Sequence, residues 1–160
     1  MADMDVITTH LNADFDGLAS MVAGRKLYPD ALLVLPAGAQ EPVRSFLAVH
    51  DLGITRLKDL DVAQVTRLIL MDAHEPDRLG PLKSLWDNRN VRVHIYDHHP
   101  LSEALARAEY TLTDSVGATE SLTVVVHMLN VTRADVPDLP TQFVISVRKD
   151  APTQVIIKEF

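Results

Sequence analysis

At 160 residues, 47% hydrophobic and 23% charged, the chain has the size and composition of one globular domain, able to bury roughly 70% of the surface its unfolded form exposes. The formal charge of -7 argues against broad nucleic-acid binding through a basic face, and the absence of cysteine excludes disulfides, thiolate zinc sites and cysteine nucleophiles. No apolar run approaches the ~20 residues of a membrane helix and no basic, apolar signal opens the chain, so a cytoplasmic protein with no membrane partner is expected.

A first strand is expected at residues 5–9, ending in His10-Leu11-Asn12-Ala13-Asp14-Phe15-Asp16. Leu18, Met21, Val22 and Leu27 follow at helical spacing, and Pro29-Asp30 closes that helix. A second strand at 31–35 leads to a helix opened by Glu41-Pro42 and carrying Val43, Phe46, Leu47 and His50. The third strand, 67–71, stops at Asp72; Pro76-Asp77 then opens a helix through Leu79, Leu82, Leu85 and Trp86. The fourth, 91–96, runs into Asp97-His98-His99-Pro100. A fifth at 109–113 precedes Ser115 to Thr119 and a helix bearing Leu122, Val125, Val126 and Leu129.

Strands alternating with helices imply βαβ units, hence an α/β fold: a three-layer α/β/α sandwich around a mostly parallel sheet. Asp135-Val136-Pro137-Asp138-Leu139-Pro140 breaks the pattern, and the β-prone runs 142–147 and 154–157 read as a terminal hairpin. The expected division is therefore a domain over 1–134 and a divergent tail over 135–160. An exposed strand edge in that tail invites pairing with a second copy, which leaves a homodimer open.

Three polar clusters sit where three strands stop, and in an open α/β sheet ligands bind beyond the carboxyl ends of the strands. Carboxylates suit hard divalent cations, and imidazole adds affinity for manganese, iron, cobalt or zinc. His10, Asp14, Asp16, Asp72 and His98 supply both kinds of donor. Asp72, alone at a central strand end between the other clusters, suits a carboxylate shared by two ions, an arrangement that stabilises in-line displacement at phosphorus and activates water. Each cluster also has a plainer reading: Asp14 and Asp16 as a helix cap, Asp72 as a strand-end carboxylate, Asp97-His98-His99 as a solvated turn.

The strings HLNADFDGLAS (10–20), Asp72 and YDHHP (96–100), in that order at strand ends, resemble the motifs of the DHH phosphoesterase superfamily over residues 5 to about 129. The resemblance implies that His10, Asp14 and Asp72 hold one manganese and Asp16, Asp72 and His98 a second, with magnesium or cobalt as substitutes. His99 would face the scissile phosphate as donor or acid, and Asp97 would orient the histidines. Its members hydrolyse pyrophosphate, polyphosphate, short oligonucleotides, cyclic dinucleotides or longer strands, so a small phosphorylated or nucleotide substrate is implied.

Two departures stand out. The superfamily's fourth motif, Gly-Ile-x-x-Asp-Thr, is absent, and Asp150 lies in a turn-like setting. The usual second domain is also missing. The front segment is most similar to DHH domains joined to CBS and tRNA nucleotidyltransferase-like domains, which fits a fragment of a larger protein or a stand-alone relative. A DHH-like module that binds metal or nucleotide without turnover is the alternative; a phosphoacceptor receiver domain explains the aspartates but not His10 or His98-His99.

Ser115, Gly117 and Thr119 either donate to a phosphate at a helix N-terminus or merely cap that helix. His50, His94 and His127 read as structural, whereas His74 follows Asp72 closely enough to reach the cleft.

Overall fold

The computed structural model describes residues 4–97, 99 and 102–111, with the backbone of 112–113, 142–146 and 154–158. Its centre is a six-stranded sheet in which every neighbouring pair is parallel. The strands are β1 (Met4–Thr8), β2 (Leu32–Val34), β3 (Ile54–Thr55), β4 (Val65–Met71), β5 (Arg92–Asp97) and β6 (Tyr110–Thr113). They lie in the order β3-β2-β1-β4-β5-β6.

The expected α/β fold is present, and the alternation of buried residues shows why it has three layers. In β4, Leu68 and Leu70 face one side with Val6, Val93 and Ile95, while Ile69 and Met71 face the other with Ile7 and Leu33. Both faces are apolar, as a parallel sheet covered by helices requires. The second face is covered by α1 (Phe15–Leu27) through Met21 and Ala23, and α2 (Glu41–Val49) packs Val43 against Leu18 of α1. The first is covered by Leu79, Leu82, Leu85 and Trp86, which follow β4.

That last segment corrects the sequence expectation of one helix through residues 79–86. The chain forms 3-10 turns over Pro76–Leu82 and then the short α3 (Lys83–Asp87). Gly80 sits at φ 52°, ψ -129°, outside helical space, and Pro81 lacks an N–H to continue the ladder. The four apolar residues still reach the same face because the broken segment follows it. The two-residue strand β3 was too short to stand out in the sequence.

Beyond the sheet, β7 (Gln142–Ser146) and β8 (Gln154–Lys158) pair antiparallel, as the two β-prone runs suggested. The expected helix around Leu122 to Leu129 lies outside the described residues, as do Ser115, Gly117, Thr119, Asp150 and His127. No helix among the described residues is long and apolar enough to cross a membrane.

Candidate metal and phosphate site

The strand order fixes where a site forms. From β1 the chain winds through α1 and α2 to β2 and β3 on one side; from β4 it winds to β5 and β6 on the other. The two windings diverge between β1 and β4, leaving a crevice at the carboxyl ends of those strands. His10 lies two residues beyond β1, Asp72 directly beyond β4, and Asp97 is the last residue of the adjacent β5.

Local backbone aims these groups. The Asp72 N–H donates to Tyr96 O at 2.8 Å, extending the β4–β5 ladder by one step, and the residue then turns into left-handed space at φ 56°. Asn12 does the same at φ 55°. Short Asn and Asp side chains tolerate this region better than most residues, and its cost of order 1–3 kcal/mol is concentrated at ligand-facing turns. Asp14 caps α1, its Oδ1 accepting the Gly17 N–H at 3.0 Å. Gly17 lets the first turn of α1 press against the end of β1: a Cβ there would stand 2.5 Å from Thr9 Oγ1.

Two donor sets converge, each with ligand atoms within 4.8 Å of one another: His10, Asp14 and Asp72, and Asp72, Asp97 and His99. In the first, His10 Nδ1–H donates to Leu11 O at 2.8 Å, which leaves the Nε2 lone pair pointing at Asp14 Oδ1, 3.8 Å away, and Asp72 Oδ2, 3.7 Å away. Two atoms each ~2.1 Å from one ion lie at most ~4.2 Å apart, so His10 Nε2 can share a divalent cation with either carboxylate, and all three donor atoms lie within 4.8 Å of one another. The tautomer is the one a metal-binding imidazole needs. In the protein as it stands, interaction with the Asp72 carboxylate holds the His10 pKa above its ordinary value against the opposing effect of burial.

The second set is organised differently. Asp97 is buried, and its Oδ1 accepts both the His99 N–H at 3.2 Å and His99 Nδ1–H at 2.7 Å. Its Oδ2 accepts from His74 Nδ1. Burial works to raise the Asp97 pKa, but the hydrogen bonds from His99 and His74 outweigh it and hold the carboxyl below its usual range. With both oxygens engaged, Asp97 is better placed to orient imidazoles than to bind an ion. His99 Nδ1 lies 3.9 Å from Asp72 Oδ1, so Asp72 borders both sets.

The structure thus brings together His10, Asp14, Asp72, Asp97 and His99. Asp16 is on the first turn of α1, partly exposed, with its carboxylate outside both converging sets. His98 lies outside the described residues. Sequence reasoning left His74 undecided; the structure buries it against Asp97, and its signal was the spacing Asp72-x-His74 after a core strand. His94 hydrogen-bonds Tyr28 Oη at 2.6 Å within β5, away from the crevice. His50 caps α2 and packs its ring on Phe46.

This parallel α/β fold recurs in a solved structure. The chain shares it with an exopolyphosphatase-related protein from Bacteroides fragilis, at TM-score 0.62 and 15% identity, over 84% of this chain and 42% of that one. Over 100 residues, 61% of the chain, the sequence is 49% identical to the A-adding tRNA nucleotidyltransferase of Geobacter sulfurreducens, of which it spans 11%. No family model matches the chain.

Proposed function

We propose that this chain is a DHH-type phosphoesterase domain that uses divalent metal, manganese in the first instance, to hydrolyse a phosphodiester or phosphoanhydride of a small nucleotide, short oligonucleotide or polyphosphate. The observation that carries the reading is that His10, Asp14 and Asp72 converge at the switch point of the sheet, where Asp72 also borders the Asp97–His99 pair. The likeness to the exopolyphosphatase-related fold supports the same class.

His10, Asp14 and Asp72 would hold one ion; Asp72 with Asp16 and His98 would hold the second. When bound, such ions supply the charge that makes water nucleophilic near neutral pH and offsets charge on the phosphoryl oxygens. Asp72 keeps the two donor sets in register because its turn is fixed on the β4–β5 ladder. Asp97 fixes the His99 ring: with Nδ1–H committed to Asp97, the exchangeable position is Nε2, and a doubly protonated ring would hand its Nε2 proton to the leaving oxygen and return to the neutral Nδ1–H tautomer. Ser115, Gly117 and Thr119 are proposed donors to the substrate phosphate.

Incubation of chelator-stripped protein with the dinucleotide pApA tests this, with and without manganese and with Asp72→Asn in parallel. Manganese-dependent cleavage lost in a folded Asp72→Asn variant is expected; cleavage that survives chelation or the substitution refutes the mechanism.

One observation favours a second reading. The matched stretch occupies only 11% of a much longer nucleotidyltransferase. A module that binds metal or nucleotide on behalf of a larger protein would show that binding with no turnover of pApA.

A further inference from the structure

The loop leaving β4 carries a second buried imidazole that the proposed chemistry does not use. His74 is 4% exposed. Its Nδ1 donates to Asp97 Oδ2, while its Nε2 lies 3.1 Å from Glu75 Oε1 at the surface. The opposite oxygen of Asp97 takes the backbone and ring N–H of His99, at 3.2 and 2.7 Å. Two ring donors therefore hold one carboxylate from opposite sides.

The geometry matters because a carboxylate bonded at one oxygen can still swing about its terminal torsion, which is soft. Bonded at both, Asp97 cannot rotate without breaking a hydrogen bond in a site where an unsatisfied charged oxygen is costly. A bond from Asp97 in turn determines which nitrogen of His99 carries the proton. Glu75 flanks the far side of the His74 ring, so the row Glu75–His74–Asp97–His99 runs from the surface to the crevice.

We propose that His74 is a positioning residue for His99: through Asp97 it holds the His99 ring with Nδ1 protonated and Nε2 directed to chemistry. The inference rests on the reading of His99 as the proton donor, and it deepens that reading by adding a residue that touches neither metal nor substrate. A merely structural His74 would help fill the core and satisfy Asp97 without governing the state of His99.

The test compares His74→Leu, which removes both ring donors, with His74→Asn, whose amide nitrogen occupies the place of Nδ1 and keeps the bond to Asp97. Side-chain nitrogen NMR of His99 in metal-free protein at one neutral pH gives the first readout. Wild type and His74→Asn are expected to show the Nδ1–H tautomer, and His74→Leu a loss of it.

Steady-state cleavage of pApA with manganese gives the second readout: kcat falls roughly 10–100-fold in His74→Leu and recovers in His74→Asn, with KM and manganese stoichiometry unchanged. A wild-type His99 signature in His74→Leu, or equal losses in the Leu and Asn variants, overturns the proposal. Should His74→Leu not fold, His74→Gln replaces it, because its amide reaches the Nε2 position and leaves Asp97 without the second donor. If wild type itself cleaves nothing, the phosphoesterase reading fails, while the NMR comparison still decides what His74 does.

Discussion

Replacing Gly17 with alanine should destabilise the protein even though it inserts a better helix former into α1. The added Cβ would lie 2.5 Å from Thr9 Oγ1, 3.2 Å from its Cγ2 and 3.3 Å from its Cβ. The shortest of these is about 1 Å inside an ordinary van der Waals separation of ~3.5 Å. Thr9 is fully buried, so it has little room to yield. Overpacking of this kind costs about 1–3 kcal/mol, against a gain of about 1 kcal/mol in helix propensity, leaving a net loss of up to about 2 kcal/mol.

Gly24 in the same helix is the internal control, because the three atoms nearest its Cβ would all belong to the flexible Met71 side chain, the first being Sδ at 3.2 Å. Gly24→Ala should be neutral or stabilising by up to about 1 kcal/mol. Urea unfolding with an unchanged m value measures both. Thr9→Ala should relieve Gly17→Ala, since it removes the two closest atoms and Thr9 Oγ1 has no hydrogen-bond partner among the described residues. A Gly17→Ala variant as stable as Gly24→Ala, with no coupling to Thr9, would refute the argument that this glycine sets the approach of α1 to β1.

Other outcomes follow from the same geometry. Asp14→Asn keeps a good helix cap, so its unfolding midpoint should stay within about 0.5 kcal/mol of wild type while manganese affinity by calorimetry falls at least tenfold. Gly80→Ala places a Cβ 2.6 Å from Leu11 Cδ2 at a positive φ, and thermal melts should show a loss of about 1–3 kcal/mol. Ile69→Ala, in the fully buried centre of β4, should cost about 2–5 kcal/mol in urea.

Burial, helped by Arg67, lowers the His94 pKa; Glu109 opposes this, and Arg92 and Tyr28 also face the ring. The unfolded chain therefore binds this proton more readily, so the His94 contribution is present above about pH 6.5 and is lost as pH falls through the lower folded value. Unfolding midpoints between about pH 8 and 5 should decline less steeply in His94→Leu than in wild type.

The sheet was legible because strands buried on both faces are written as unbroken apolar runs, as in Leu68-Ile69-Leu70-Met71. Residues at strand ends could be picked out for the same reason, since His10, Asp72 and Asp97 each interrupt or end such a run. What escaped was local backbone and long-range pairing. Apolar spacing marked Leu79 to Trp86 as covering the sheet but did not reveal that Gly80-Pro81 breaks the helix, because spacing does not report φ and ψ. The partnership of His74 with Asp97 joins residues 23 apart across neighbouring strand ends, which only the pairing of β4 with β5 creates.

The central claim is that one carboxylate, Asp72, serves two ion sites. Calorimetric titration of manganese into metal-free wild type, His10→Ala and Asp72→Asn tests it most directly. The account predicts two equivalents in wild type, one in His10→Ala and loss of both in a folded Asp72→Asn protein; an Asp72→Asn variant that still binds two equivalents at wild-type affinity contradicts it.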